Sequence, residues 1–285
     1  MRGYFTEPSY KGDMPYTDLA LERHRADTSL PGVEYSKSET RTGTVERIKI
    51  SSKIGADSIG RPMGIYDTLS TKRLDLLDST EIMDLTDRVG AMLGAILEES
   101  DIFPGRILVA GLGNPRLTPD SLGCLCAETV KPTSHIKEMD RRLFGRLGCA
   151  EISVAVPGVM ATSGLDAVVS LKGICDLIQP DTVIAIDSLS ARSAERLGST
   201  IQISNSGISP GSGIGNPRLS VCAETVGVPV ISVGIPTVID SRVLSGEDAS
   251  VSEPMLVCPK EINEIVSVGA EIIGKAINQA FGIYP

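Results

Sequence analysis

Hydrophobic and polar positions fall into two regimes along the chain. Up to Gly60, Ser, Thr, Gly, Pro and charged residues dominate, and residues 44–51 (TVERIKIS) alternate apolar with polar as a half-buried strand does. From Ser79 the rhythm changes. Ile82, Leu85, Val89, Met92, Leu93 and Ile96 recur at three- and four-residue steps, which predicts an amphipathic helix ending near Glu99. Four short β-rich apolar runs follow at 106–110, 152–156, 182–186 and 229–233. Between them lie stretches of helical length, among them 120–130 and 165–178, and residues 260–280 read as a closing amphipathic helix. Strand and helix in alternation predict the α/β class: a mostly parallel sheet covered by helices on both faces, with a β-rich N-terminal appendage.

In open sheets of this kind, reactive groups collect just past the carboxyl ends of the strands. Asp187 directly follows TVIAI, and Asp120 lies in the loop after RILVAG, so both carboxylates are expected on that edge. Each also has a structural reading: Asp120 as the N-cap of the helix that follows, Asp187 as a strand-end cap.

Composition narrows the function classes. A chain of 285 residues with 41% hydrophobic content supports one main core. The net charge of −9, from 36 acidic against 27 basic residues, disfavours a surface that neutralises nucleic-acid phosphates. No run approaches the roughly 18 apolar residues that span a bilayer, and the N-terminus lacks the apolar core of a signal peptide, so neither membrane nor export is expected. Cysteines 124, 126, 149, 175, 222 and 258 fall mostly in apolar segments of a chain too large to need disulfide staples. Reduced thiols in a cytoplasm follow.

Several motifs fail on inspection. Gly111-Leu112-Gly113 begins a dinucleotide fingerprint, but Arg116 occupies the third glycine position. Residues 207–211 (GISPG) match the serine-hydrolase elbow in form, yet Pro210, Gly211, Ser212 and Gly213 follow the serine where a helix is required. His24 and His135 are the only histidines, and they do not form the paired helical motif of a zinc protease. Cys124 and Cys126 read as packing residues. The Asp-Thr-Gly or Asp-Ser-Gly string of a pepsin-like dyad is missing, the nearest being Asp67-Thr68-Leu69, Asp181-Thr182-Val183 and Asp187-Ser188-Leu189. Carboxylates remain as the general acid and base, with no metal and no cofactor expected.

Longer strings carry a resemblance: residues 111–114 (GLGN), 118–123 (TPDSLG), 157–160 (PGVM), 187–193 (DSLSARS), 200–204 (TIQIS), 207–216 (GISPGSGIGN) and 228–240 (VPVISVGIPTVID). Together they resemble the spore germination proteases, collinearly from about Asp18 to the C-terminal helix. That resemblance implies a fold similar to the hydrogenase maturation endopeptidases and a homotetramer in the spore core. It also implies an endopeptidase that degrades the small acid-soluble proteins coating spore DNA. It implies two essential aspartates, which map onto Asp120 and Asp187. It implies a zymogen that removes its own leader: residues 17–22 (TDLALE) resemble the family's processing site, which puts the cut between Asp18 and Leu19. On this basis residues 1–18 are expected to form an autoinhibitory propeptide and 19–285 a single protease domain.

Paired carboxylates would work as one ionised base and one protonated acid. Arg192 is the candidate partner of the substrate's acidic side chain, and backbone amides of the loop holding Gly211 and Gly213 are candidates for the oxyanion. Two alternatives stay open: a metal-dependent maturation endopeptidase acting on one protein partner, with His135 or Glu128 joining the aspartates, or a non-catalytic nucleotide-binding module.

Overall fold

The computed structural model describes residues 16–24, 30–211, 219–245 and 255–284. Nine strands form one sheet: β1 (Val33–Thr40), β2 (Gly43–Ile50), β3 (Gly64–Ser70), β4 (Arg106–Gly111), β5 (Glu151–Ala155), β6 (Thr182–Ala191), β7 (Thr200–Ser204), β8 (Val230–Asp240) and β9 (Leu256–Val257). The helices are α1 (Lys53–Ile59), α2 (Ser79–Glu99), α3 (Leu122–Thr129), α4 (Ser134–Met139), α5 (Arg141–Leu147), α6 (Met160–Ser163), α7 (Ala167–Ile178), α8 (Ala223–Val226), α9 (Ser241–Ser245) and α10 (Ile262–Ala280). Among these described residues, no helix is long and apolar enough to cross a membrane.

The order across the sheet is β1-β2-β3-β7-β8-β6-β4-β5, with β9 pairing β8. The α/β class is as expected. Strands β5, β4, β6 and β8 run parallel, while β7, β3, β2 and β1 add antiparallel strands to the β8 edge, so the whole sheet is mixed. The β-rich N-terminal region is therefore an extension of the same sheet. Short connections explain the change of direction. The two-residue link between β1 and β2 permits only a hairpin, whereas each parallel pair needs a helical crossover.

Helices cover both faces, as the rhythm of the sequence predicts. On one face Leu85, Val89, Leu93 and Ile96 of α2 and Val266, Ile273 and Ile277 of α10 pack on Ile107, Ile184, Ile186, Ile201, Ile203 and Ile231. On the other, Val168, Leu171 and Cys175 of α7 meet Leu108, Ala110, Val183, Ala185 and Val230. Because side chains alternate along a strand, β7 (TIQIS) sends Ile201 and Ile203 to the α2/α10 face. Gln202 and Ser204 face the other way. Helix α2 is started by a full capping box, with Asp78 accepting from Thr80 and Glu81 N–H while the Glu81 carboxylate accepts from Asp78 N–H.

Candidate active site

Two long strands build the site. The apolar half of β6 is buried from both faces, and at its end Asp187 sits almost wholly buried, its Oδ1 accepting from Ser188 N–H at 2.9 Å. Strand β6 then continues through Ser188, Leu189, Ser190 and Ala191, beyond the five-residue run that periodicity marks. Asp120 ends a single 3-10 turn, Thr118–Asp120, in the connection from β4 to α3. The Asn114 N–H donates to both its backbone oxygen (2.9 Å) and its Oδ2 (3.0 Å). Thr237 of β8 donates to Pro119 O at 2.6 Å, pinning the turn to the sheet.

Two glycines make this approach feasible. Gly113 has φ of 103°, and a Cβ there would lie 2.0 Å from Asp120 O. At Gly123, a Cβ would meet Ile186 O at 2.3 Å and Leu112 O at 2.4 Å, so only glycine lets the start of α3 rest on β4 and β6. Asp120 and Asp187 thereby face a common neighbour, Cys124. Its thiol is pushed up to about 11, by burial first and then by the charges of Asp120, Asp187 and Glu128. The two aspartates expected to act together are thus brought to one corner of the sheet. Among the described residues, no three His, Cys, Asp or Glu side chains form a group that could hold a metal ion.

The segment from Tyr16 to Arg23 lies across β6 and β7 beside this corner. Asp18 N–H donates to Ser190 O, and Ser190 N–H donates to Asp18 Oδ2, both at 2.8 Å. Arg61 reaches the Asp18 carboxylate at 3.5 Å and also donates to Thr17 O. Leu19 is fully buried among Leu189, Ala191, Leu197 and Ile239. Burying a side chain of that size contributes about 2 kcal/mol. Four residues on, the Glu22 carboxylate accepts from Arg192 N–H (2.6 Å) and Ser193 N–H (2.8 Å). Thr17 Oγ1 accepts from Leu19 N–H at 3.1 Å and donates to Glu22. Gln202 Oε1 accepts from Ala20 N–H at 2.9 Å, and Gln202 Nε2 donates to Asp18 O at 3.2 Å.

Beside Asp18 opens a cavity of about 320 Å³ bounded by Leu189, Gln202, Gly234 and Glu224. Glu224 is held below the usual carboxylate range, chiefly by a hydrogen bond from Cys222. Gly207, Ile208 and Ser209 of the glycine-rich loop line it too. Gly211 ends the described part of that loop, and Gly213 lies outside the described residues. Arg192 meets Glu22, through its backbone N–H and a 3.3 Å contact from its guanidinium to Glu22 O, while the guanidinium on Asp18 belongs to Arg61. Sequence reasoning missed Arg61 and Gln202. The one signal within reach was Gln202 as the long carboxamide on the polar face of the period-two strand TIQIS, between Thr200 and Ser204.

The chain is 41% identical over 229 residues to a germination protease of Caldanaerobacter subterraneus subsp. tengcongensis, an alignment covering 79% of this chain and 69% of that one. It is 38% identical over 234 residues to the germination protease of Bacillus mycoides, covering 79% of this chain and 63% of that protein, so about two thirds of the relatives' length is spanned. Among solved structures, a NiFe hydrogenase maturation protease from Thermococcus kodakarensis aligns with 66% of this chain and 99% of its own length, at a TM-score of 0.38 and 18% identity. The family profile for germination proteases matches residues 14–250, and with these relatives it shows that the chain belongs to the germination protease family of peptidases.

Proposed function

We propose that this chain is a self-processing endopeptidase that cuts after an acidic residue followed by an apolar one. Its first target is its own Asp18–Leu19 bond, and Asp120 and Asp187 activate the water. The observation that carries this reading is the seat of residues 17–22. The acid is held by Ser190 N–H and Arg61, the next residue is buried in an apolar pocket, and a second acid four positions on is held by two backbone amides. Such a seat reads an acidic side chain, an apolar one and a second acidic one. The same three features would select sites in other proteins once the leader is gone. By the family resemblance, those proteins are the small acid-soluble proteins of the spore core, and the working assembly is a homotetramer.

Chemically, two carboxylates in one corner resist double ionisation, so one holds a proton while the other is ionised. The ionised aspartate draws a proton from water as it adds to the carbonyl carbon, and the protonated one donates to the leaving nitrogen. Arg61 fixes the residue on one side of the bond and the Leu19 pocket fixes the other, which converts the attack into an intramolecular, oriented step.

Intact mass followed over time at mildly acidic pH tests this reading. The parent chain is expected to lose residues 1–18, and Asp120→Asn and Asp187→Asn to stay full length. Shortening of either variant at the same rate would remove the aspartates from the mechanism.

A further inference from the structure

We propose that Gln202 is a catalytic residue, the donor that holds the carbonyl oxygen of the Asp18–Leu19 bond as negative charge develops on it. This role presupposes the cut between Asp18 and Leu19 proposed above. Gln202 is buried on β7, and its carboxamide touches the chain on both sides of that bond. A backbone N–H can only donate, so the Ala20 contact fixes Oε1 toward Ala20 and turns the NH₂ toward Asp18 O. The donor is therefore oriented before reaction begins, the condition under which a dipole lowers a barrier.

Sheet register places this donor opposite the proposed base. Asp187 of β6 pairs with Gly234 of β8, and Gly234 pairs with Gln202 of β7. Residues paired in register point to the same face, so Asp187 and Gln202 flank Gly234 at about 10 Å, two strand spacings. Gly234 has no side chain of its own in the middle of that row, and Leu189 packs into the space instead, since a Cβ on Gly234 would lie 2.6 Å from Leu189 Cγ and 2.8 Å from Asp187 O. The cavity bounded by Leu189, Gln202 and Gly234 opens at the Gln202 end of this row and touches Asp18, while Asp187 is not among its lining residues. A water delivered from the Asp187 end of the row would attack a carbonyl already polarised by Gln202.

In the step itself, water oxygen bonds to the Asp18 carbonyl carbon and one water proton passes to the ionised aspartate. The C=O electron pair moves onto oxygen, where Gln202 Nε2–H meets it. As the carbonyl re-forms, the C–N bond breaks and the Leu19 nitrogen takes the proton of the acidic aspartate. A 3.2 Å amide contact in the resting chain has room to shorten to the ~2.8 Å of a charge-assisted bond, so the gain falls on the transition state.

The test is the first-order rate of self-cleavage of the full chain by intact mass, for the parent, Gln202→Met and Gln202→Glu, with melting temperature as the fold check. Gln202→Met is expected to fold and to shorten about 10²- to 10³-fold more slowly, as loss of one oxyanion donor does. Gln202→Glu keeps the acceptor for Ala20 N–H. It is expected to be slow at neutral pH and to close its gap to the parent as pH falls through the carboxyl range, because the protonated acid again offers a donor. That pH-dependent recovery is absent from a purely structural role, and it decides the matter alone if Gln202→Met fails to fold. A parent that cuts between Asp18 and Leu19 while both variants keep pace within about threefold, or a Gln202→Glu deficit that is flat with pH, overturns the role of Gln202 only. A parent that does not cut there overturns the scissile-bond reading and this role with it.

Discussion

Cys124 reports on both aspartates at once. Its thiol, pushed up to about 11, is ionised at pH 8 to roughly one part in a thousand, so alkylation in the folded chain should reach exposed Cys258 long before it. Removing a neighbouring negative charge lowers a thiol pKa. Replacing both aspartates at once, Asp120→Asn with Asp187→Asn, should therefore speed Cys124 alkylation relative to the parent at the same pH, as read by peptide mass mapping. Equal rates would mean that the aspartate charges do not reach the thiol. At this scale the sequence disclosed unevenly. Asp120 and Asp187 stand where strand runs end, and local spacing alone puts them on the reactive edge. Arg61 and Gln202 carry no such mark. They come to Asp18 across separations of 43 and 184 residues, through pairings that only the assembled sheet defines.

Elements were most legible where one periodicity runs unbroken. The helix expected to end near Glu99 is α2 (Ser79–Glu99), and the closing helix is α10 (Ile262–Ala280), two residues inside the expected start. Strands β6 and β8 extend past their apolar runs, to Ala191 and Asp240, because Ser188, Ser190 and Pro236 interrupt the hydrophobic signal where the strands turn from core to groove. The connection between β4 and α3 has the tightest tolerance. Gly123→Ala would drive a methyl group into the carbonyl oxygens of Ile186 and Leu112, which are backbone atoms and cannot swing aside. Strain of this kind typically costs about 1–3 kcal/mol. It would also move Asp120 relative to Asp187, so the variant should melt lower and lose self-cleavage. A variant with an unchanged melting temperature and full cleavage would show that the loop has slack.

For the whole molecule, one sheet joins the N-terminal strands to the parallel core, and the groove forms where the two parts meet at β6, β8 and β7. That junction was hidden from sequence because parallel and antiparallel strands share similar local patterns. Deleting residues 1–18 removes the Asp18 and Thr17 contacts while leaving the sheet and both hydrophobic faces intact. The shortened chain should fold and cut peptides faster than the full one. Precipitation or inactivity would end the idea of an inhibitory leader. Leu19 adds a final consequence. Inside its pocket of Leu189, Ala191, Leu197 and Ile239 it is an ordinary amide-linked residue, but a cut after Asp18 turns its nitrogen into an ammonium. The Thr17 hydroxyl that accepted its hydrogen departs with the leader. A cation that has lost its hydrogen-bond acceptor at the mouth of an apolar pocket is better solvated in water. The new terminus is thus driven toward water and tends to drag the following residues out of the groove. Hydrolysis at this bond would work as a ratchet, with the severed end unable to settle back where the intact chain had rested.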